Sequence, residues 1–249
     1  MVIPPSYAVI TVCRNSGKTL ARTMRSVLTQ AHPPAEYLIG DGNSSDETRE
    51  VFAESVAQYA GARTRVEWID QGHPLGIANA WNVGVRCATA ELLFILNSDD
   101  WYEQGCAAAV CEHFGADHSL DLLCGAVSLV TPDAPFRRRL LLPRTRALSR
   151  VMPTIPHPAV FARRDVYERA GNFDPRYAIA ADCDFLYRCM IRGCRFRFDS
   201  SIVVNQQAGG LASQSRAIAR REVLDIGVRN SGSRALPYLA YGVRRLMGR

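Results

Sequence analysis

Three short polar segments each follow an apolar run that is typical of a buried β-strand, and their residue types could bind or transform a ligand. They are CRNSG at residues 13–17, DGNSSD at residues 41–46 and NSDD at residues 97–100. In an open parallel sheet, ligands bind beyond the carboxyl ends of the strands. The three segments are therefore predicted to converge on one edge of a sheet and to form a single site.

The third segment carries two adjacent carboxylates, Asp99 and Asp100, that could hold phosphate through a metal ion. The sequence has neither G-x-G-x-x-G after its first apolar run nor G-x-x-x-x-G-K-[ST] anywhere, so the glycine-rich phosphate loops are not expected. Carboxylates repel a diphosphate unless a divalent cation bridges them, and hard oxygen ligands favour Mg²⁺ or Mn²⁺. The alternative is a turn and helix cap in which both aspartates are structural.

The first and second segments leave alternatives open. Asp41 could accept a hydrogen bond from the ring N–H of a pyrimidine base, or it could close an Asx-turn with Gly42. Arg14 and Asn15 either line the same pocket or begin the loop after the first strand.

An alternation of strands and helices positions these segments. Strands are predicted at residues 7–12, 37–40, 65–69 and 92–96, with helices at 17–30, 46–59 and 77–87 between them. Such an alternation implies right-handed crossovers and a mainly parallel sheet with helices on both faces, so the predicted fold class is α/β. Beyond residue 100 the pattern predicts helices at 104–114, 180–192 and 214–248, the last of them broken at 231–233. It also predicts a strand at 120–130 and a strand pair at 195–204. An ordered loop is expected around Pro153, Pro156 and Pro158.

The composition is that of an ordinary globular protein with an uneven charge distribution. Of the 249 residues, 47% are hydrophobic and 22% are charged, which suffices for a sizeable core in one or two domains, and one is favoured. The net charge of +6 comes from residues 216–249, which hold eight arginines against Glu222 and Asp225, whereas residues 1–215 carry 22 basic and 22 acidic side chains. This distribution argues against a body that binds nucleic acid and favours a tail that meets an anionic surface.

The tail has two interpretations. Its apolar residues recur near helical spacing beside two arginines, and the set is Leu236, Leu239, Val243, Leu246, Arg244 and Arg245. The tail is either an interfacial amphipathic helix on anionic lipid, or a helix packed on the domain or on a partner subunit with solvated arginines.

Other features are typical of a cytosolic protein. The eight cysteines form no C-x-x-C pair and no repeated Cys/His spacing, so no zinc site is predicted and a reducing compartment is expected. The amino-terminal run lacks the basic segment of a secretory signal, and no apolar stretch has the length of a transmembrane helix, so neither is expected.

Four motifs, in a fixed order, resemble family-2 glycosyltransferases of GT-A fold. Residues 10–48 are similar to the opening of that family, with a strand, an asparagine, a T-L-x-x-T-x-x-S-V-L-x-Q helix and D-G-x-S-x-D-x-T after the second strand. Residues 76–102 are similar to its G-I-x-D-A-x-N-x-G stretch and to the strand that bears D-x-D. Residues 157–193 resemble its acceptor-side segment, and residues 206–215 resemble the Gly-Gly-x-Ser run of a bacterial O-antigen and capsule subgroup.

The resemblance implies a role for each matched residue. Thr11, Asn15 and Asp41 would bind the nucleoside, with Asp41 on uracil. Asp99 would close the D-x-D motif and bind the cation together with the diphosphate. Asp182 would be the general base that removes a proton from the acceptor hydroxyl, so that the sugar is transferred with inversion by direct displacement. The remaining residues of the expected nucleotide-sugar site are Arg14, Asn79, Asn97 and Ser98.

Two positions depart from the family pattern. Asn97 stands where D-x-D has its first aspartate, which removes one carboxylate and leaves Asp100 as the candidate second metal ligand. Asn79 replaces the aspartate of G-I-x-D-A, and residues 73–75 lengthen the preceding loop. The donor preference therefore need not follow that of the relatives.

The candidate base lies near a second carboxylate. Asp184 is two positions from Asp182, so the two side chains would point in different directions on a helix, and Asp184 is expected to pair with Arg188 at i+4. The alternative for Asp182 is a purely structural acid that the helix dipole favours.

Two aromatic residues complete the expected acceptor side. His157 would touch the acceptor or the leaving group, or else form a hydrogen bond with the backbone of its loop. Trp81 and Trp101 are expected to pack in the protein, and Trp101 is the better candidate for a sugar-facing wall.

Together, these features predict a cytosolic-face inverting glycosyltransferase that moves a hexose-type sugar from a UDP-sugar to a saccharide acceptor, linked to polyprenyl diphosphate, in surface polysaccharide assembly. Residues 1–215 would form the GT-A domain, and residues 216–249 a basic helical extension at the inner face of the plasma membrane. The alternatives are a sugar-nucleotide nucleotidyltransferase, against which the missing Gly-rich basic signature counts, and a non-catalytic binding protein, which has no need of Asp182.

Overall fold

The amino-terminal half of the protein is a parallel sheet built by helical crossovers. The computed structural model describes residues 4–59, 63–131, 134–141, 155–210, 215–233 and 235–246. Its first strands and helices are β1 (Tyr7–Cys13), α1 (Leu20–Leu28), β2 (Glu36–Asp41), α2 (Thr48–Tyr59), β3 (Arg65–Asp70), α3 (Ile77–Cys87) and β4 (Leu92–Ile95). The strand order is β3-β2-β1-β4 and all three pairings are parallel, so the predicted arrangement of this half is confirmed.

The carboxyl-terminal half extends the same sheet with mixed pairings. Its elements are β5 (Trp101–Tyr102), α4 (Cys106–Ala116), β6 (Leu122–Thr131), β7 (Ala134–Leu141), β8 (Val160–Arg163), α5 (Arg164–Ala170), α6 (Ala181–Ile191), β9 (Phe196–Gln207), α7 (Arg216–Asn230) and α8 (Ala235–Leu246). The sheet continues in the order β4-β8-β6-β9-β5, with β7 paired to β6. β6 and β9 are parallel, and the other pairings of this half are antiparallel. The α/β class holds, with its parallel character concentrated in the first half.

One predicted feature of this half is wrong. The strand pair expected at 195–204 is the single strand β9, whose register with β6 shifts between Phe198 and Val203. The Asp199 carboxylate accepts hydrogen bonds from the backbone N–H and the hydroxyl of Ser201, at 2.9 and 2.6 Å. Opposite this point, Gly125 in β6 has no space for a side chain, since a Cβ there would lie 2.5 Å from the carbonyl oxygen of Ile202. The sequence prediction also missed β5, β7, β8 and α5, and Pro153 lies outside the described residues.

Two apolar clusters cover the two faces of the sheet. Successive residues of a strand point to opposite faces, and accordingly Val9 of β1 belongs to the cluster with α1 and α4, whereas Ile10 belongs to the cluster with α3 and α6. The sheet is thus held between two layers of helices, and its strand ends are fixed by packing on both sides.

The last two helices continue from the layer that contains α6. Helix α7 packs against α6, and α8 packs against α7. The predicted break at 231–233 is confirmed, with Gly232 at a φ of 67°, which favours glycine. Among the described residues, no helix combines the length and the apolar character that a membrane span requires.

Candidate active site

A cavity of about 1000 Å³ opens at the carboxyl ends of β1 and β4. The chain leaves β1 towards β2 on one side and later returns to β4 on the other side, and such a switch point is where open α/β sheets bind ligands. The residues predicted for the site that line the cavity are Arg14, Asn15, Asn97, Ser98, Asp99, His157 and Asp182. The first and third polar segments therefore meet there, and the second segment reaches the cavity at Gly42.

Helix α1 holds the segment that follows β4. The hydroxyl of Thr23 donates hydrogen bonds to the carbonyl oxygens of Ser98 and Asp100, at 3.0 and 2.7 Å. The hydroxyls of Ser16 and Ser98 lie 2.8 Å apart. These contacts fix the backbone at residues 97–100, and with it the direction of each side chain there.

Arg22 is a part of the site that the sequence analysis did not identify. Its Nη2 donates to the carbonyl oxygen of Asp99 at 3.0 Å and to Oε1 of Gln207 at 2.6 Å. Its guanidinium lies 3.8 Å from the centre of the Trp101 ring. Arg22 thereby joins α1, the loop after β4 and the end of β9 around the cavity wall.

The two adjacent aspartates have different environments. Asp99 lines the cavity, and partial burial raises the pKa of its carboxyl, while the charge of Arg22 opposes this. Asp100 is 1% exposed, and it accepts hydrogen bonds from the backbone N–H of Gln207 at 3.3 Å and from Nδ2 of Asn97 at 3.2 Å. Burial raises the pKa of Asp100 well above its usual value, and the neighbouring Asp99 raises it further. Asp100 is buried and does not line the cavity, so the structure gives no support for its expected role as a metal ligand, which stays a prediction.

Asn97 is the second residue of the segment after β4 that carries a possible oxygen donor near Asp99. The Asn97 amide donates through Nδ2 to Asp100, and its buried Oδ1 has no hydrogen-bond partner among the described residues. The cavity is therefore lined by Asp99, which carries a carboxylate, and by Asn97, whose unsatisfied amide oxygen is buried, and oxygen donors of these kinds are the ones that Mg²⁺ or Mn²⁺ prefers. The described part of the chain has no cluster of three His, Cys, Asp or Glu side chains that could hold a metal alone. The donor set fits a divalent cation that takes its other ligands from a bound phosphate and from water.

The residues expected on the nucleoside lie differently from the prediction. Thr11 is fully buried, with its hydroxyl 3.3 Å from that of Tyr37, and it does not reach the cavity. The carboxylate of Asp41 accepts from the backbone N–H and the hydroxyl of Ser44, at 3.1 and 2.6 Å, which is the turn-closing alternative with Ser44 as the donor. The Asn79 amide donates to the carbonyl oxygen of Leu75 at 3.1 Å, and Asn79 is also absent from the cavity wall.

Asn15 and Gln71 remain as polar side chains near the ends of β1 and β3. Asn15 lines the cavity and ties two loops together, since its Oδ1 accepts from the backbone N–H of Ser45 at 2.9 Å. The Gln71 side chain also lines the cavity, and both of its buried amide atoms lack a hydrogen-bond partner in the described structure. Gly40 makes room for it, because a Cβ there would lie 2.8 Å from Nε2 of Gln71. Gln71 was not among the predicted site residues, although it directly follows β3.

Both tryptophans near the site pack in the protein, as expected, and Trp81 is 3% exposed. Trp101 is stacked under Arg22 and does not line the cavity, so the structure gives no support for its expected role as a sugar-facing wall, which stays a prediction. Trp81 lines the cavity from α3, and the ring of His157 lies over it at 4.6 Å between ring centres. Burial lowers the pKa of His157, and the charge of Asp182 partly offsets this, so the imidazole is favoured in its neutral form.

Asp182 reaches the cavity from the first turn of α6. Asp184, two positions later, is buried and pairs with Arg188 at 2.8 Å, so the predicted i+4 ion pair is confirmed. The loop before Asp182 is held by α7, where the Glu222 carboxylate accepts hydrogen bonds from three successive backbone N–H groups of residues 178–180. In the charge pattern of the sequence, Glu222 is only one of two acids in a basic tail.

Residues 8–191 match the family described as "Glycosyl transferase family 2". A curated relative, the "PGL/p-HBAD biosynthesis glycosyltransferase" of Mycobacterium bovis (strain BCG / Pasteur 1173P2), is 30% identical over 186 residues, which cover 74% of this chain and 70% of the relative. An "Uncharacterized glycosyltransferase" of Nostoc sp. is 27% identical over 183 residues, covering 70% of this chain and 56% of that protein. The expected O-antigen and capsule subgroup stays a prediction.

Solved structures share the fold at low sequence identity. The structure of S. aureus TarS 1-349 in complex with UDP-GlcNAc has a TM-score of 0.71 at 15% identity, covering 95% of this chain and 70% of that chain. The mannosyltransferase PcManGT from Pyrobaculum calidifontis, in complex with GDP-Man and Mn2+, has a TM-score of 0.69 at 19% identity, covering 90% and 63%. The fold, the family match and the curated relatives agree, and the chain belongs to glycosyl transferase family 2 as a glycosyltransferase of GT-A fold.

Proposed function

We propose that this glycosyltransferase moves a hexose-type sugar from a UDP-sugar to a saccharide acceptor, with inversion, in surface polysaccharide assembly. The observation that carries the proposal is that one cavity receives Asp99 from the end of β4 and Asp182 from the start of α6. A phosphate-binding group and a candidate base thus face the same space, as a displacement at the anomeric carbon requires.

The donor would bind at the ends of β1, β3 and β4. Asp99 and Oδ1 of Asn97 would hold a Mn²⁺ or Mg²⁺ ion, which supplies charge neutralisation for the diphosphate as it leaves. A nucleotide-sugar donor is supported by TarS and PcManGT, whose structures were determined with UDP-GlcNAc and with GDP-Man and Mn2+. For uracil we propose Gln71 in place of Asp41, because its unsatisfied amide can both donate to and accept from the imide edge of the base.

Asp182 would act on the acceptor. Its carboxylate would take the proton of the acceptor hydroxyl while that oxygen bonds to the anomeric carbon and the bond from this carbon to the diphosphate breaks. Neutral His157 and the face of Trp81 would shape the adjoining subsite, since both line the cavity and pack on each other.

The extension would bring this domain to a lipid-linked acceptor. In this proposal residues 1–215 are the catalytic domain and residues 216–249 are a helical extension at the inner face of the plasma membrane. Four of the five exposed large hydrophobic side chains among the described residues lie on α7 and α8, and they are Ile218, Leu236, Tyr238 and Leu239. Exposed arginines of α7 lie on the same extension, and they are Arg216, Arg220 and Arg221. Apolar side chains with nearby arginines suit the interface of an anionic membrane, and a polyprenyl diphosphate would be anchored there.

A donor screen tests the proposal. The protein is incubated with Mn²⁺ and individual UDP-sugars, with and without a polyprenyl-diphosphate-linked saccharide, and released UDP is measured. We expect UDP release with at least one donor, and its loss in the variant Asp182→Asn while the Kd for UDP with Mn²⁺ stays within about twofold. Unchanged turnover in Asp182→Asn would remove the base assignment. Release of inorganic diphosphate from a nucleoside triphosphate and a sugar phosphate would instead indicate the nucleotidyltransferase, and binding without turnover the non-catalytic alternative.

A further inference from the structure

The loop that leads into α6 is fastened to the carboxyl-terminal extension at successive residues. The Glu222 carboxylate accepts from the backbone N–H of Ala178 through Oε1 at 2.9 Å, and from those of Ile179 and Ala180 through Oε2 at 2.9 and 2.8 Å. These partners are 42 to 44 positions away in the sequence, so the contact is tertiary and not a local turn.

The chemistry of the loop explains why it needs an outside partner. Backbone N–H groups at the start of a helix have no acceptor within that helix, and a side chain usually supplies one. Helix α6 begins after Ala180, which has no side-chain cap. Successive N–H groups that point to one place form a concave anion site, and here a carboxylate of the same chain fills it. Hydrogen bonds to an ionised acceptor are also the stronger kind.

A second contact lies one turn further along α7. The hydroxyl of Tyr177 donates to Asp225 at 3.0 Å, and Arg229 also donates to that carboxylate at 2.6 Å. Residues three apart lie on the same side of a helix, so Glu222 and Asp225 present one acidic face to residues 177–180. The face holds both the backbone of this loop and the side chain of its buried tyrosine.

The fastened loop is also part of the cavity wall. Ala178 and Ile179 line the cavity together with Asp182, which follows them by three to four positions, whereas Glu222 does not line it. Glu222 therefore lies behind the cavity wall, and an effect of its carboxylate on the reaction would be transmitted through the backbone that carries Asp182.

We propose that Glu222 is a positioning residue, and that its carboxylate sets where the first turn of α6 presents Asp182 to the acceptor. The inference rests on the proposed role of Asp182 as the base. It assigns a function in the reaction to an acid of the basic extension, which the charge pattern alone associates with an anionic surface.

A misplaced base affects turnover and leaves donor binding intact. A displacement of about 1 Å in a reacting group can cost on the order of 100-fold in rate. The segment after β4 is held from α1, through the hydrogen bonds of Arg22 and Thr23 to its backbone, whereas Glu222 holds residues 178–180. Loss of Glu222 should therefore lower kcat and leave the donor KM nearly unchanged, a split that a general loss of folded protein does not produce.

The experiment uses the full chain, Mn²⁺ and the UDP-sugar that is active in the donor screen, and it measures hydrolysis of this donor by water, which requires no acceptor. The variants are Glu222→Ala, the near-isosteric Glu222→Gln, Asp182→Asn, and the matched controls Glu54→Ala and Glu54→Gln at an exposed position of α2. Thermal unfolding and the Kd for UDP with Mn²⁺ are measured for each. We expect kcat to fall about 10- to 100-fold in Glu222→Ala and less in Glu222→Gln, with the donor KM and the Kd for UDP within about twofold.

Each outcome decides between the inference and the function on which it rests. If Asp182→Asn abolishes hydrolysis and both Glu222 variants match the Glu54 controls, the positioning role is overturned and the base assignment stands. If Asp182→Asn hydrolyses the donor at the normal rate, the base assignment fails and the positioning role fails with it. If Glu222→Ala does not fold, Glu222→Gln decides, and a fall in kcat at constant KM in that variant supports the inference.

Discussion

Replacing Arg22 with methionine removes the guanidinium that joins α1, the loop after β4 and β9. Methionine keeps the apolar stem against Trp101 but loses the hydrogen bonds to the Asp99 carbonyl oxygen and to Gln207. At about 1 kcal/mol for each of two hydrogen bonds and about 0.5 kcal/mol for the cation–π contact, the loss is about 2 to 3 kcal/mol. For a chain of this length that corresponds to a fall of about 5 to 10 °C in Tm.

The same variant should change how the metal site responds to pH. Burial raises the pKa of Asp99 and the charge of Arg22 opposes this, so removing that charge raises the pKa further. A cation binds the ionised carboxylate, and its affinity is lost as pH falls through the pKa of Asp99. In Arg22→Met the Mn²⁺-dependent affinity for UDP should therefore be lost at a higher pH than in the original protein.

Calorimetric titration of UDP with Mn²⁺ at a series of pH values, combined with thermal unfolding, measures both effects. The matched control is Arg25→Met, which removes an exposed arginine from the same helix and should change neither quantity. An Arg22→Met variant whose Tm and pH dependence equal those of Arg25→Met would refute the assignment of Arg22 as the support of Asp99.

Gln71, Asp100 and the arginines of α7 can each be tested by substitution. Gln71→Leu should raise the Tm, because it removes a buried amide that has no partners among the described residues. It should also weaken UDP binding about 10-fold and leave the affinity for Mn²⁺ and inorganic diphosphate unchanged. Equal UDP affinity would contradict the assignment of Gln71 to the base. Burial raises the pKa of Asp100, so folding favours the protonated carboxyl, and stability is lost as pH rises towards that pKa. The metal-free Asp100→Asn variant should therefore unfold at a higher temperature than the original protein at neutral pH. The difference in unfolding temperature should vanish in acid. The double variant Arg220→Ala/Arg221→Ala should bind phosphatidylglycerol vesicles about 30-fold more weakly at low salt, because each arginine contributes about 1 kcal/mol of binding free energy. Equal sedimentation of the variant and the original protein with the vesicles would count against the membrane proposal.

The parallel half of the fold and the position of the cavity could be predicted because both follow from the order of strands and helices. Periodicity places the ends of β1 and β4 at one edge, and polar residues after a strand must lie at that edge. The bounds of β1 and α3 agree with the prediction to within one residue. Short elements such as β5 and β8 carry too few residues to show a period, so tertiary pairing alone defines them.

The direction of individual side chains could not be predicted from spacing. Asp99 and Asp100 are adjacent and chemically identical, and the inward direction of Asp100 goes with its hydrogen bonds to Gln207 and Asn97 and with the contacts of Thr23 that hold this backbone. Thr11 occupies a matched motif position but lies on the buried side of β1, where Tyr37 is its partner. These outcomes depend on residues far away in sequence, which a local pattern does not contain.

The broken pair of helices at the end of the chain affects how this protein can be divided in the laboratory. A truncation after residue 215 would remove Glu222 and Asp225 together with the arginines of α7, so a loss of turnover in that fragment would be wrongly attributed to a lost membrane anchor. The turn at Ser231-Gly232-Ser233 is the better joint, since both carboxylates lie before it. A chimera that exchanges α8 alone at this turn could redirect the enzyme to another surface and keep the hydrogen bonds between α7 and residues 177–180.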